Sequence, residues 1–338
     1  MPDTDMTDRP FVVGVLLIPG FALLSYAAAV EPLRAANILS ARDHYRWLHI
    51  VPEGQTIAAS NGLEIVADHR IGERVEIDML LVCAGGNPAA YRNPAAARWL
   101  RSLRRRGVQL GGVSGGTYLL ARSGLLEGRR CTIHWEHAAA FAEEFPALDL
   151  RRTLFEIDGD RLTSAGGIAA LDMMVAVIAG HHGRGLSRQV SDWFLQTQQR
   201  TGAAPQRMSI RDRTGVSNAR VISALELMER HVEEPLSPPA LAAAAGVSTR
   251  QLERLFAHHL GRTIGQQYRD IRLERGRALL DETSLPIIEV AAACGFVSAS
   301  HFSRAYAARY GLPPGRARGS NYTTASAGPG LLRRGLGR

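Results

Sequence analysis

The sequence predicts a mostly parallel, doubly wound α/β domain followed by an all-α domain with two helix-turn-helix motifs. Three observations predict it. Apolar strand-like runs alternate with helical runs from Phe11 to about Gln199, and that alternation implies a sheet covered on both faces. The charge is divided: residues 1–205 hold 21 arginines and 21 acidic residues, whereas 206–338 hold 19 arginines and 11 acidic residues and so carry the whole net charge of +8. Finally, LAAAAGVSTRQLERLFAHHLG (241–261) recurs in modified form as VAAACGFVSASHFSRAYAARYG (290–311); two copies are too few for a solenoid and read as a paired module.

A chain of 338 residues is long for one core, so two domains are expected. The expected boundaries are a disordered terminus at 1–10, an α/β domain at 11–200, a linker at 201–216, a helical domain at 217–319 and a disordered tail at 320–338. A hydrophobic content of 46% with 21% charged residues is ordinary for a soluble protein. No uncharged apolar run is long enough to span a bilayer. MPDTDMTDRP lacks the basic-then-apolar order of a signal peptide, so no membrane association and a cytoplasmic, nucleoid-associated location are expected. Cys83, Cys131 and Cys294 lie far apart without C-x-x-C spacing, which points to reduced thiols and no structural metal. No cofactor is expected.

Within the first domain, FVVGVLLI (11–18) is a continuous apolar run closed by Pro19-Gly20, as a buried strand would be. AAAVEPLRAANIL (27–39) reads as a helix that Pro32 bends or restarts. YRWLHIV (45–51), LEIVAD (63–68) and MLLVCAGG (79–86) read as strands. PAAARWLRSLRRRG (94–107) is a helix closed by Gly107. VQLGGV enters a tight turn that TYLLARSGLL leaves as a helix. TLFEIDGDRLTSAGG (153–167) holds two strands joined at Asp158-Gly159, and IAALDMMVAVIAGHH (168–182) is an apolar helix. Residues 200–216 lose the periodicity and gain Gly, Pro and Arg, hence the expected linker. Ligands on such sheets sit at the carboxyl ends of the strands, where Gly85-Gly86 and Ser114-Gly115-Gly116 both fall.

The turn GGVSGG fits G-x-S-x-G, the spacing that lifts a serine nucleophile onto a strand-to-helix elbow. Serine needs a base in reach and an acid to orient that base. His134 follows Ser114 by twenty residues and offers a base, while Glu31, Glu136 and Asp172 are acids the sequence does not place. Read instead as a binding site, the elbow presents main-chain N–H groups to a carboxylate. Gly115 and Gly116 then allow close approach, Thr117 adds a hydroxyl, and Gly85, Gly86 and Asn87 line the same crevice. Trp135 beside His134 would hold a trimethylammonium or guanidinium group by cation–π attraction, and Glu31 or Glu136 would add countercharge.

In the basic half each repeat is a short Ala-rich helix, a turn at Gly246 or Gly295, and a second helix. Ser248 is a good N-cap. Leu252, Leu255 and Phe256 face inward in the first copy and Phe302 and Tyr306 in the second. Ser248, Thr249, Arg250, Gln251 and Arg254, and Ser298, Ser300, His301 and Arg304, are thereby the candidate DNA contacts. Arg and Gln near such a helix start reach base edges in the major groove, and Ser and Thr reach phosphates.

Residues 219–318 resemble the DNA-binding domain of AraC/XylS-type transcription regulators. LAAAAGVSTRQLERLFAHHLG, IRLERGRALL (271–280), IIEVAAACGF and HFSRAYAARYG carry the likeness. It implies one recognition helix per repeat, joined by a long helix over 266–281. Ile264 stands where proline is usual, Gly276 where alanine is common and Pro313 where serine is usual. The first two hundred residues resemble the class I glutamine-amidotransferase-like, PfpI-type domain, with its flavodoxin-like sheet, through VGVLLIPGF, EPLRAAN, MLLVCAGG, GGVSGGTYLLARSGLLEG and CTIHWEH. In enzymes of that fold a cysteine occupies the elbow, where this chain has Ser114. Together the two halves are similar to GlxA-type regulators, among them regulators of arginine, carnitine and glycine-betaine breakdown. The likeness implies a non-enzymatic sensor of an amino-acid, betaine or carnitine-like effector, a homodimer, and operator DNA and RNA polymerase as partners. Two rivals remain at this point: an amidase or esterase using Ser114, and an architectural DNA binder without an effector.

Overall fold

The computed structural model describes residues 9–318. What was expected of residues 1–8 and 319–338 lies outside the described residues. The chain forms two compact units that divide after Arg207.

In the first unit the core strands are β1 (Phe11–Leu17) and β2 (Tyr45–Val51), separated by α1 (Leu23–Ser40). A small ribbon of β3 (Thr56–Ala58) and β4 (Glu64–Val66) precedes β5 (His69–Arg70) and β6 (Met79–Ala84). Then come α2 (Pro94–Arg105), β7 (Gln109–Ser114), α3 (Gly116–Arg122), β8 (Arg130–Cys131), α4 (Ala138–Glu144) and β9 (Asp149–Leu150). The hairpin β10 (Phe155–Asp158) and β11 (Arg161–Ser164) leads into α5 (Ala169–Trp193). One sheet has the order β10-β11-β7-β6-β1-β2-β5. Every neighbouring pair is parallel except β10 with β11.

The continuous apolar strands are explained by two cores. On β1, Val13, Val15 and Leu17 pack into the layer that holds α1 and α5. Leu16 and the following Ile18 pack into the opposite layer with Trp99, Leu100 and Tyr118. Alternate side chains of a strand point to opposite faces, so a strand buried on both faces has no polar positions to show.

Four local expectations change. Pro32 lies inside α1 without ending it; burial of Ala29, Val30, Leu33, Ala35 and Ala36 offsets the one lost main-chain hydrogen bond. LEIVAD contributes β4, which pairs antiparallel with β3 rather than joining the main sheet. The last helix continues past His182 to Trp193, but Gly183 has φ 81° and ψ 171° and divides it. The segment 201–216, expected as a linker, is shared between the units. Residues up to Arg207 belong to the first, while Ile210 and Val216 are buried in the second.

The second unit contains α6 (Ile210–Thr214), α7 (Ala219–Arg230), α8 (Pro238–Ala244), α9 (Thr249–Leu260), α10 (Ile264–Glu282), α11 (Ile287–Ala293), α12 (Ala299–Tyr310) and α13 (Pro314–Ala317). The pairs α8/α9 and α11/α12 are the two repeats, and α10 joins them. Gly246 and Gly295 both turn with positive φ. A Cβ on Gly295 would also stand 2.6 Å from Val232 O, so that turn needs glycine for space as well as for conformation. Arg272 of α10 fastens it by donating to Cys294 O at 2.7 Å and Gly295 O at 2.6 Å, with its guanidinium 4.1 Å from the Phe296 ring centre.

Gly276, where alanine was anticipated, has a similar cause. A Cβ there would lie 2.6 Å from Phe302 Cε2, and Phe302 is fully buried. Overpacking of this kind costs about 1–3 kcal/mol, against about 1 kcal/mol gained from helix propensity. Gly276→Ala is therefore expected to destabilise the second unit by about 1–2 kcal/mol, read from its urea midpoint. In a Phe302→Leu background the alanine should add no further loss.

Candidate functional site

The elbow is built from main chain packed against main chain. Ser114 pairs in register with Ala84, and Gly115 N–H donates to Ala84 O at 3.1 Å. A Cβ on Gly116 would stand 1.8 Å from Val82 O, one on Gly112 2.7 Å from Thr117 N, and one on Gly115 2.7 Å from Pro88 Cβ. Ser114 itself has φ 56°, a left-handed conformation that costs a non-glycine residue about 1–3 kcal/mol. It is 7% exposed.

Two further loops close on the same edge. A Cβ on Gly85 would lie 2.8 Å from Gly20 O, which brings the β1–α1 turn against the end of β6. One on Gly166 would lie 2.5 Å from Ser114 Cβ, so the exit of β11 crosses directly over the serine. Gly167 N–H then donates to Ser25 Oγ at 2.7 Å. Sequence reading missed Ser25, Gly166 and Gly167. The paired glycines after β11 repeat the signal already seen at Gly85-Gly86 and Gly115-Gly116.

The other anticipated crevice residues are only partly brought together. Gly85 and Asn87 are half-buried and Gly86 is exposed. Asn87 Oδ1 accepts from Ala90 N–H at 3.1 Å and so shapes its own turn. Thr117 does not face a ligand: it is fully buried, and its hydroxyl donates to Thr132 O at 2.9 Å. That bond instead anchors the loop carrying His134 and Trp135 beside α3. Glu31 accepts from Arg34 Nε at 2.8 Å within α1. It sits six residues beyond Ser25, about 9 Å further along the helix, so it does not join the edge.

His134 is half-buried. Burial lowers its pKa, neighbouring His137 lowers it further, and Glu136 opposes both, so the ring is neutral near pH 7. Its Nδ1 lies 3.4 Å from Glu136 N and 3.8 Å from Glu136 Oε2. Among the described residues Ser114 Oγ has no hydrogen bond to a histidine. Asp172 is occupied elsewhere, at 2.5 Å from both Arg200 Nη2 and Gln196 Nε2. Cys83 and Cys131 are buried, which pushes both thiols up to about 12. Among the described residues no group of three or more His, Cys, Asp or Glu is placed to hold a metal ion. Trp135 is 46% exposed and already bears a cation: Arg207 Cζ stands 4.6 Å from its ring centre.

In the second unit Ser248 caps α9 and forms a capping box with Gln251. Ser248 Oγ accepts from Gln251 N–H at 3.3 Å, and Gln251 Oε1 accepts from Ser248 N–H at 3.0 Å. Ser298 Oγ accepts from His301 N–H at 3.2 Å at the start of α12. These polar atoms, anticipated as DNA contacts, thus hold the helix starts. Thr249 is half-buried, whereas Arg250, Arg254, Ser300, His301 and Arg304 are exposed. The arginines fall into two groups. Arg262, Arg277 and Arg309 form ion pairs with the α10 carboxylates Asp270, Glu274 and Asp281. Among the described residues Arg250, Arg254 and Arg304 have no acidic partner.

Comparison with known proteins decides what this pairing of units is. Residues 13–180 match the DJ-1/PfpI family and residues 241–320 a helix-turn-helix domain family. The chain is 45% identical over 303 residues to the HTH-type transcriptional regulator CdhR of Pseudomonas aeruginosa, covering 90% of each protein. The chain belongs to this family of AraC-type transcription regulators. A second relative, the HTH-type transcriptional regulator GlxA of Rhizobium meliloti, is 44% identical over 307 residues, covering 90% of this chain and 95% of that protein. The crystal structure of an AraC family transcriptional regulator from Pseudomonas putida matches with a TM-score of 0.51 at 29% identity, over 55% of this chain and 100% of that one. The regulator thus joins a DNA-binding helical unit to a DJ-1/PfpI-type sensor unit.

The strained elbow gives a direct test. Ser114→Gly removes the Cβ that disfavours φ 56° and is expected to stabilise the first unit by about 0.5–1 kcal/mol after the added freedom of the unfolded chain. Ser114→Ala keeps the Cβ and should give no gain. A loss of stability in Ser114→Gly, read from thermal unfolding, would mean that the hydroxyl holds the turn.

Proposed function

We propose that the protein is a cytoplasmic, homodimeric activator of a catabolic operon. Its crevice binds a small amino-acid or quaternary-amine effector without turning it over, and α9 and α12 read successive major grooves of operator DNA before engaging RNA polymerase. The observation that carries the sensor reading is the elbow itself: Ser114 is nearly buried, and among the described residues no histidine is bonded to it. A ligand carboxylate is assigned to the glycine edge at Gly86, which is exposed and where a Cβ would meet nothing within 4 Å, beside the start of α3. A cationic end fits the side bearing His134 and Trp135. The DNA reading rests on Arg250, Arg254 and Arg304, exposed cations without acidic partners on two equivalent helices, with Ser300 and His301 beside them. The dimer is assigned to the first unit, where the apolar side chains Leu24 and Ile168, 61% and 55% exposed, flank the Ser25–Gly167 bond. Among the described residues no helix is long and apolar enough to cross a membrane.

Two measurements test this function. Arg250→Ala and Arg304→Ala are each expected to weaken binding by about 1–3 kcal/mol to a duplex selected in vitro on the intact chain, read by fluorescence anisotropy. Unchanged affinity in both variants removes α9 and α12 from the interface. Separately, glycine betaine, L-carnitine or an amino acid is expected to raise the unfolding temperature of the full chain, by the equivalent of about 2.7 kcal/mol at one hundred times its Kd. No shift across that panel, or turnover abolished by Ser114→Ala, defeats the sensor reading.

A further inference from the structure

We propose that the indole face of Trp135 is a cation subsite whose resident occupant is the chain's own Arg207, and that a cationic effector group binds there by displacing the guanidinium and releasing the strap 205–207. The inference rests on the sensor reading given above and adds to it the resident occupant of the cation side and the moving part.

The strap is the last segment of the first unit, and its attachments converge on one loop. Gln206 Nε2 points at three acceptors, Thr132 Oγ1 at 3.0 Å, Ile133 O at 2.9 Å and Thr153 O at 2.7 Å. Pro205 bridges Thr153 in antiparallel fashion, and Leu154 N–H donates to Gly202 O at 2.8 Å. Arg207 then lays its guanidinium on Trp135. The loop that receives these contacts is the one that Thr117 ties to the elbow helix through Thr132. A ligand lying between the elbow and Trp135 therefore meets the strap's own anchor.

The chemistry selects the ligand. An indole face attracts a cation with its ring quadrupole, and a guanidinium and a quaternary ammonium satisfy it alike. Trp135 is nearly half exposed, so a small cation reaches it from solvent, and the Glu136 carboxylate on the next residue adds favourable charge. The fitting class is a small organic cation, quaternary ammonium or guanidinium, whose other end is a carboxylate for the glycine edge.

The strap is also poised to leave. Among the described residues Gln206 Oε1 is buried without a hydrogen-bond partner, and an unsatisfied buried acceptor lowers the cost of letting the residue go. Release of three residues frees up to about 10 Å of chain. That chain continues into Met208 and α6, whose Ile210 is buried in the core of the DNA-binding unit. Occupancy of the subsite is thereby converted into slack in the connection to the second unit, and the effector favours the released state by its differential affinity for it.

The test follows tryptic cleavage after Arg207 in the full chain by intact mass, normalised to cleavage after the exposed Arg42. The probe is tetramethylammonium chloride, compared with sodium chloride at equal ionic strength. Tetramethylammonium is expected to accelerate cleavage at Arg207 in the wild-type chain well beyond sodium. Trp135→Leu should be cleaved about tenfold faster without the probe and respond to it no further, while Trp135→Phe should retain part of the protection and part of the response. Equal effects of the two salts on the wild-type chain, or unchanged cleavage in Trp135→Leu, overturns the proposal. The assay uses neither DNA nor metabolite. A strap that responds in a chain that no metabolite stabilises would defeat the sensor reading alone, and a metabolite-stabilised chain with an unresponsive strap would defeat this one alone.

Discussion

Main chain meets main chain at the carboxyl edge of the sheet at distances that admit no side chain, and the first unit depends on that constraint. Gly116 lies against Val82 O, Gly85 against the turn at Gly20 and Gly166 against Ser114. Four chain segments separated by up to 146 positions between Gly20 and Gly166 therefore have to arrive at one place for any of them to pack. The strain at Ser114 is affordable because the parallel pairing of β6 with β7 and the burial around it over-determine the turn. A side chain inserted at any of these glycines would pry the edge apart, and the crevice is what remains where the four segments almost touch.

The second unit solves a different problem, that of presenting two equivalent helices in a fixed relation. α10 supplies the carboxylates Asp270, Glu274 and Asp281 that neutralise Arg262, Arg277 and Arg309, while Arg272 grips the second turn through Cys294 O and Gly295 O. On α9 and α12, Arg250, Arg254 and Arg304 are exposed and have no acidic partner among the described residues. A uniform basic surface would bind any polyanion. Ion pairing to α10 restrains Arg262, Arg277 and Arg309, and leaves Arg250, Arg254 and Arg304 on the second helices of the two repeats open to a polyanion.

Much of this was legible in the sequence, and the misses share a cause. Periodicity identified β1, β2, β6, β7 and the helices around them because burial on both faces dictates their composition. The duplicated pattern with Gly246 and Gly295 identified the paired helix-turn-helix. Side-chain destinations were less legible, because a polar residue can serve the fold or a ligand with the same letter. Thr117 anchors a loop, Ser248 and Gln251 box a helix start, and Glu31 pairs with Arg34 one turn away. Gly276 was read as a departure from alanine, since nothing in the local sequence reveals that Phe302 leans on it from the other repeat. The segment 201–216 was read as a linker from its composition, although Gln206 and Ile210 show that polar and Gly-rich chain is held firmly when single residues find deep partners.

The distribution of acids and bases in the first unit follows from that strap. A hydrolase at this elbow would need an acid to orient His134; among the described residues the exposed Glu136 stands 3.8 Å from its Nδ1, and the buried carboxylate of the unit is Asp172. It is committed to Arg200 and Gln196, at the start of the same segment that ends at Gln206 and Arg207. A buried ion pair of this kind is costly to break from one side, since the remaining charge would be left uncompensated. The carboxylate therefore fixes one end of the strap, and the other end is held by Gln206 Nε2 against Thr132, Ile133 and Thr153 and by Arg207 on the Trp135 ring. The Trp135 contact lies on the loop that shares its anchor with the elbow, so the segment that engages Asp172 at one end meets the elbow's supporting loop at the other.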